Sequence, residues 1–322
     1  MKKALIIGLN EYRNQPLDWC VNDATEISDL IETNGDGGHN FDTERILGRV
    51  TTDAMYTAIE NLFKDGSDIA LLYFSGHGID ERGGYLCPTD VCNSNYGVGM
   101  SNLLNIANDS HCKNKIIILD CCFAAKLGTF DSFGDCSHLS NGLTIMAACK
   151  EWQTSSESNQ LEHGVFTNLL INGLKGGASD VRGIITPANL YSYIDQALGA
   201  WQQRPVFKTN TSQFIPLRTV QPKVSETILR NITKYFDTPI SEYKLNPSYE
   251  YTNSPNEEHL IKEPYADKNN VIILKELQKL TSIGIVEPVD EEHMYFAAMN
   301  NKSCRLTKLG QHYWNLVNDK RF

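Results

Sequence analysis

Four short, almost uninterrupted apolar runs mark the first half of the chain. They are Ala4–Leu9, Ile69–Gly76, Lys115–Asp120 and Gly142–Cys149. Continuous hydrophobicity over such lengths is typical of strands in a parallel sheet that is covered on both faces. Helix-length amphipathic stretches lie between or after these runs, at residues 21–34, 51–64, 162–177 and 186–201. This alternation predicts an α/β sandwich around a mostly parallel sheet, with right-handed crossovers between its strands.

The pattern changes near residue 218. Residues 202–218 are expected as a loop and an edge strand that close a first domain, 1–218. Residues 219–267 are rich in Asn, Tyr, Pro and Ser and are interpreted as a linker. One helix is predicted there, at Ser225–Phe236, and it could begin the tail module.

The tail, residues 268–322, has the order helix, strand, turn and strand, followed by a closing helix at Lys308–Asn318. Its second strand region is predicted at Met294–Thr307. This order predicts a small α+β, winged-helix-like domain. Acidic residues in "VDEEH" (Val289–His293) fall at the tip of the wing, where phosphate contacts would require cations. A protein partner is therefore expected for this module, and nucleic acid is not.

Composition narrows the class of protein. The formal net charge of −10 over 322 residues argues against broad binding to nucleic acid or a membrane surface. No apolar run reaches the roughly 18–20 residues that span a bilayer, so no membrane partner is expected. Nine irregularly spaced cysteines suggest reduced thiols rather than a disulfide framework. These features predict a globular, cytoplasmic protein.

Two of the predicted strands end on residues that carry chemistry. "LLYFSGHG" places His77 between Gly76 and Gly78, and "KIIILDCCFA" places Cys121 and Cys122 after Asp120. Functional groups of open α/β sheets gather beyond the carboxyl ends of parallel strands. A histidine beside a cysteine makes an activated nucleophile, and the N–H of Gly78 can stabilise an oxyanion.

Strand alternation indicates which cysteine reacts. Side chains of successive strand residues point to opposite faces, so Asp120 and Cys122 share one face and Cys121 takes the other. Ser75 and His77 share a face by the same argument. Cys122 is therefore the predicted nucleophile, and Cys121 is expected in the core.

The motifs "WCVNDA", "YFSGHG", "LDCCFA", "HGVFTNLLINGL" and "RPVF" occur in this order over residues 1–218. In this the chain resembles the caspase-like cysteine peptidases of the metacaspase and bacterial branch. The resemblance implies a caspase–hemoglobinase-type sheet, a catalytic dyad of His77 and Cys122, and an oxyanion site at the backbone of Gly78 and Cys122. It implies no cofactor. The chain departs from metacaspases at Phe123–Ala125. Their calcium-binding acids are not evident, so no metal site is expected, and dependence on calcium stays open.

The same resemblance implies a pocket for a basic substrate side chain, formed by Asp23, Ser75 and Asp120. The alternative is that Asp23 is an ordinary acid at a helix N-terminus and Asp120 a capping carboxylate. Lys126, in a loop-like stretch after the nucleophile, is a candidate site of self-cleavage.

The expected function is a cysteine endopeptidase that cuts protein or peptide substrates after Arg, and less readily after Lys. By analogy with the family, a role in bacterial signalling or defence is expected. Two alternatives stay open at this point. One is an inactive caspase-like scaffold that binds protein partners, and the other is a DNA-binding regulator that acts through its C-terminal module.

Overall fold

The computed structural model describes residues 1–81, 83–92, 95–121, 139–148, 163–198, 205–211, 213, 215–254 and 261–322. The chain divides into two compact units, Met1–Gln221 and Pro222–Phe322. In the described ranges, no helix combines the length and the apolar character needed to cross a membrane.

The described strands of the first unit are β1 (Lys2–Gly8), β2 (Asp42–Leu47), β3 (Ile69–Ser75), β4 (Gly78–Ile79), β5 (Tyr85–Leu86), β6 (Val98–Gly99), β7 (Asn114–Asp120), β8 (Leu143–Ala147), β9 (Ile184–Ile185), β10 (Val206–Asn210) and β11 (Arg218–Thr219). Its described helices are α1 (Cys20–Glu32), α2 (Thr52–Lys64), α3 (Met100–Asp109), α4 (Val165–Asn172) and α5 (Pro187–Ala197).

The central sheet has the strand order β10-β8-β7-β3-β1-β2. All neighbours pair in parallel except β10, which runs antiparallel to β8 at one edge. The prediction of an α/β fold with a mostly parallel sheet is confirmed, and each of the four apolar runs supplies a strand of it.

Alternating side chains of the sheet feed two hydrophobic cores. Leu5 and Ile7 of β1 pack in one core with residues of α2 and α3, whereas Ala4 and Ile6 pack in the other with residues of α1, α4 and α5. Because both faces are covered, every residue of β3 and β7 is buried. This explains why the inner strands have no polar alternation in the sequence.

Strand β2 and helix α3 are among the elements of the first unit that do not follow from the apolar pattern. Strand β2 is an edge strand whose residues are exposed or half-buried, so it has a charged sequence, "DTERIL". Helix α3 buries Met100, Leu103, Leu104 and Ala107, and most of its other residues are Asn, Ser or Asp. The predicted helix at 162–177 corresponds to α4, which continues as a π-helical turn over Gly173–Gly177.

The second unit contains β12 (Glu242–Lys244), β13 (Val286–Pro288), β14 (Ser303–Leu306), α6 (Glu226–Arg230), α7 (Ile232–Tyr235), α8 (Lys268–Ser282), α9 (Met294–Met299) and α10 (Lys308–Asn318). Its described strands form an antiparallel sheet in the order β12-β14-β13. The winged-helix character of this unit stays a prediction.

The structure corrects two expectations for the tail. The strand region predicted at Met294–Thr307 begins as helix α9, because Met294, Ala297 and Ala298 are buried at helical spacing; only Ser303–Leu306 is a strand. The segment 219–267, interpreted as a linker with one helix that could begin the tail module, supplies β12 to the sheet of the second unit. Its predicted helix is interrupted at Asn231 and forms α6 and α7.

Candidate active site

The carboxyl ends of β3 and β7 meet at one edge of the sheet. The two strands are parallel neighbours, and their last paired residues are Ser75 and Asp120. Ser75 also pairs with Gly8, the last residue of β1. A Cβ at Gly8 would clash with the Cys20 carbonyl and the Ala24 side chain, so glycine is what lets the start of α1 approach this edge. The N-terminus of α1 therefore lies beside the two strand ends.

The imidazole of His77 is oriented by a backbone carbonyl. Its Nε2 lies 2.7 Å from the carbonyl oxygen of Gln15. Since a carbonyl only accepts hydrogen bonds, Nε2 carries the proton, and Nδ1 is the basic nitrogen of the neutral ring. Gln15 has a positive φ of 59°, a conformation that is uncommon outside glycine and that directs its carbonyl to the ring.

Tyr12 fixes the backbone and the ring of His77. Its hydroxyl accepts from the His77 N–H at 3.0 Å and donates to the Cys87 carbonyl at 2.9 Å. The two rings meet edge to face, with their centroids 4.5 Å apart. A Cβ at Gly76 would lie 2.6 Å from this hydroxyl oxygen, which is why glycine precedes the histidine.

Asp23 and Asp120 converge on one small space next to Gly164. A Cβ on this glycine would lie 3.1 Å from Oδ2 of Asp120 and 3.6 Å from Oδ2 of Asp23. Both side chains are buried, Asp23 in the first turn of α1 and Asp120 at the end of β7. The two carboxylates that the sequence singles out are thus brought together.

Asp120 is held by the first turn of α4. The hydroxyl of Thr167 donates to its Oδ2 at 2.7 Å, and the hydroxyl of Tyr73 lies 2.6 Å from that of Thr167. Burial raises the pKa of the Asp120 carboxyl, and the hydrogen bonds from Thr167 oppose this shift. These contacts agree with the capping interpretation, but they leave the negative charge at the edge where Asp23 lies.

Asp23 has two polar partners. Ser75 donates its hydroxyl to Oδ2 at 3.2 Å, and Nδ1 of His163 lies 2.9 Å from Oδ1. Burial, followed by the negative charge of Asp120, raises the pKa of the Asp23 carboxyl to about 7. The hydrogen bond and charge of His163 oppose this shift. An Asp of this kind is poised to gain or lose a proton near neutrality.

His163 was not singled out by the sequence analysis. Its second nitrogen, Nε2, lies 2.8 Å from Oε2 of Glu26, and the other oxygen of Glu26 lies 2.6 Å from the Lys175 ammonium. The signal in the sequence is that His163 opens the motif HGVFTNLLINGL and directly precedes Gly164, the residue at the start of α4. Glu26 lies one turn after Asp23 on α1, so the two carboxylates can hold one imidazole between them.

The described thiols near this edge differ in their surroundings. Cys121 is only 1% exposed and packs in the same core as Leu119, on the side that strand alternation predicts for it. Cys20 is half-buried next to Ser75, and burial raises the pKa of its thiol to about 12. Neither thiol has the exposed, electropositive surroundings of a reactive cysteine.

The remaining candidates are placed as follows. Gly78 is half-buried and belongs to β4, where it pairs with Leu86 of β5. Cys122 and Lys126 lie outside the described residues. Over the described ranges, no group of three or more His, Cys, Asp or Glu side chains is arranged to hold a metal ion.

Comparison with known proteins gives a family match over the first unit. The caspase domain family matches residues 1–214. The chain is similar in structure to caspase-1 from Spodoptera frugiperda, with 11% identity, a TM-score of 0.46, and coverage of 68% of this chain and 90% of that one. For pro-Sf-caspase-1 the identity is 11%, the TM-score 0.47 and the coverage 68% and 92%. A search of curated proteins gave no match.

Proposed function

Because this chain belongs to the caspase domain family of cysteine peptidases, we propose that it is an endopeptidase that hydrolyses proteins after basic residues, with His77 and Cys122 as its dyad. The observation that supports this most strongly is the pairing of Ser75 with Asp120. His77 and Cys122 each follow a member of this pair by two residues in the sequence. The oriented ring of His77 thus follows the end of β3, and the proposed nucleophile Cys122 follows the end of the neighbouring strand β7 in the sequence.

The proposed reaction follows from the tautomer of His77. Its Nδ1 takes the proton of the Cys122 thiol, and the thiolate attacks the carbonyl carbon of the scissile bond. The N–H groups of Gly78 and Cys122 stabilise the oxyanion, and the C–N bond breaks as the imidazolium protonates the leaving amine. Water, deprotonated by His77, then hydrolyses the thioester and releases the acid.

The convergence of Asp23 and Asp120 supports a pocket for a cationic side chain. Two buried carboxylates repel each other and lose solvation, and a substrate cation relieves both costs. Arg is favoured over Lys because its planar guanidinium can engage two acceptors at once. A substrate aspartate would add a third negative charge to the same space.

Specificity tests this pocket directly. We expect matched fluorogenic peptides that end in Arg to be cleaved faster than Lys peptides, and Asp or Leu peptides not to be cleaved. In Asp120→Asn the amide oxygen can still accept from Thr167, but the charge is lost. Removing one partner of a buried charge pair costs about 2–5 kcal/mol, so kcat/KM for Arg peptides should fall roughly 30-fold to a few thousandfold.

The matched control is Asp53→Asn, which removes an exposed carboxylate in the first turn of α2 and should leave kcat/KM unchanged. Alkylation of the Cys122 thiol by iodoacetamide should still occur in Asp120→Asn. Cleavage after Asp by the wild type, or an Arg preference that persists in Asp120→Asn, is incompatible with the proposed pocket.

A further inference from the structure

We propose that His163 is a specificity-determining residue that acts as an internal cation. In the free protein its imidazole pairs with the carboxylate of Asp23, and an Arg or Lys side chain of the substrate must displace it. This inference rests on the proposed pocket for a basic side chain. It assigns to His163 the role of a competitor, which sets how tightly that pocket binds its substrate.

The geometry of the imidazole is the first support. Its two nitrogens lie 2.9 Å from Oδ1 of Asp23 and 2.8 Å from Oε2 of Glu26. An ionised carboxylate only accepts hydrogen bonds, so a ring between two of them donates from both nitrogens and carries a positive charge. A neutral ring with the second proton on Asp23 is the equivalent form. In both forms the two hydrogen bonds hold one proton more than a neutral imidazole carries, and this proton compensates the negative charge at Asp23.

The second support is the position of this contact. Oδ1 of Asp23 binds His163, while Oδ2 accepts from Ser75 and faces the same space as Asp120. A guanidinium that binds Asp23 through two parallel N–H···O bonds needs both carboxylate oxygens, including Oδ1, which His163 contacts. Substrate and imidazole therefore compete for one carboxylate.

The third support is that His163 has a second carboxylate partner, Glu26, which can hold the imidazole after it leaves Asp23. Glu26 keeps its contact with Nε2 when Nδ1 leaves Asp23, and Lys175 holds the other oxygen of Glu26 at 2.6 Å. The side chain of Glu26 is 30% exposed, against 3% for Asp23. The displaced imidazole thus stays paired with Glu26, which is partly hydrated, and the buried carboxylate of Asp23 becomes free to bind the substrate cation.

Two substitutions of opposite sign test the proposal. His163→Gln removes the positive charge, so the substrate no longer competes with a cation at Asp23. Since a hydrogen bond to a charged group contributes about 1.5–3 kcal/mol, KM for Arg peptides should fall about tenfold or more, with kcat little changed. His163→Lys installs a permanent cation and should raise KM. A purely structural role would move both variants in the same direction.

Binding of agmatine, a guanidinium compound with no scissile bond, is measured by calorimetry on the full chain so that the result does not depend on catalysis. We expect agmatine to bind His163→Gln about tenfold more tightly than the wild type and His163→Lys more weakly. His39→Gln is the control, because it alters an exposed His–Asp pair, with Nε2 3.0 Å from Asp42, elsewhere in the same unit. It should bind agmatine as the wild type does.

The outcomes separate this inference from the proposed function. If agmatine shows the expected order but no variant cleaves Arg peptides, the peptidase assignment fails and the role of His163 stands. If Arg peptides are cleaved but both His163 variants bind agmatine equally or more weakly than the wild type, the competitor role is wrong. Failure of agmatine to bind any variant, His163→Gln included, also overturns it.

Discussion

At the scale of single residues, the buried pair Asp23 and Asp120 works against the stability of the protein. Burial of Asp23 beside a second carboxylate raises its pKa from an ordinary value of 3.8 to about 7. The folded state therefore holds a proton that the unfolded state releases between these two pH values. Such a pair is expected where a cation from outside completes the site.

The sign of this effect gives a prediction for Asp23→Asn. Because the folded pKa is the higher one, the wild type loses stability as pH rises from about 4 to about 7, and the loss is complete above that range. The amide cannot ionise, so the stability of the variant relative to the wild type should increase over the same range. The gain is at most about 4 kcal/mol at pH 8, less any loss of hydrogen bonds to Ser75 and His163.

Urea unfolding of the full chain at pH 5 and pH 8 measures this difference. Asp65→Asn is the control, since the hydrogen bond and charge of Lys3 hold the pKa of the exposed Asp65 carboxyl below its ordinary value and neither group titrates between pH 5 and pH 8. Its effect on the free energy of unfolding should be the same at both pH values. A difference between Asp23→Asn and the wild type that does not grow with pH would show that Asp23 ionises without penalty.

At the scale of elements, the end of β3 and the segment between β1 and α1 together position the imidazole. Tyr12 and Gln15 come from that segment and contact the backbone and ring of His77, respectively. The close approach of Tyr12 depends on Gly76, which leaves room for the hydroxyl. Orientation of the histidine is thus a property of two elements and not of His77 alone.

Gly76→Ala is predicted to lower kcat without affecting the basic pocket. The added Cβ would lie 2.6 Å from the Tyr12 hydroxyl oxygen and 2.9 Å from Cζ of Phe74, so Tyr12 must move. Loss of a hydrogen bond that leaves a buried group unsatisfied costs about 1–3 kcal/mol. If misplacement of His77 raises the activation free energy by the same amount, kcat falls roughly 5- to 150-fold. Initial rates of cleavage at saturating concentrations of an Arg peptide measure this effect.

Gly66→Ala is the control, because its Cβ would meet only the His111 carbonyl, at 3.8 Å. Tyr12→Phe provides a second variant that adds no atom but removes the same hydroxyl, so it separates misplacement of His77 from overpacking. Full kcat in both Gly76→Ala and Tyr12→Phe would mean that Tyr12 does not position the histidine.

The sequence predicts elements best where burial is complete. The inner strands β3 and β7 were located from their apolar runs, and the meeting of their ends followed from parallel pairing. The apolar pattern does not predict the edge strand β2, because its side chains are exposed or half-buried and its sequence is charged. Helix α9 falls inside a predicted strand region, because a segment of only six residues with four buried positions does not separate the helical period from the strand period.

The site was predictable to the extent that its residues belong to a motif. Asp23, Ser75, His77 and Asp120 stand in motifs or at strand ends. His163 opens the motif HGVFTNLLINGL, but it contacts Asp23 across 140 residues of chain and Glu26 from a similar distance, and no local pattern marks these pairings. The carbonyl of Gln15 could not be foreseen at all, since a backbone atom leaves no trace in the sequence.

At the scale of the whole molecule, the family match and the division of the chain agree. The caspase domain matches residues 1–214, within the first unit of Met1–Gln221. The second unit is a separate compact body with its own three-stranded sheet. Its proposed protein partner and the proposed peptidase activity are therefore assigned to different parts of the chain.

The central claim is that hydrolysis depends on Cys122, and the most direct test uses its neighbour as the control. Initial rates of cleavage of an Arg-ended fluorogenic peptide are measured for the wild type, Cys122→Ala and Cys121→Ala. Because Cys121 is 1% exposed and packs in the core, Cys121→Ala should keep most of the activity, whereas Cys122→Ala should abolish it. Activity that survives in Cys122→Ala, or that is lost only in Cys121→Ala, contradicts the proposed dyad.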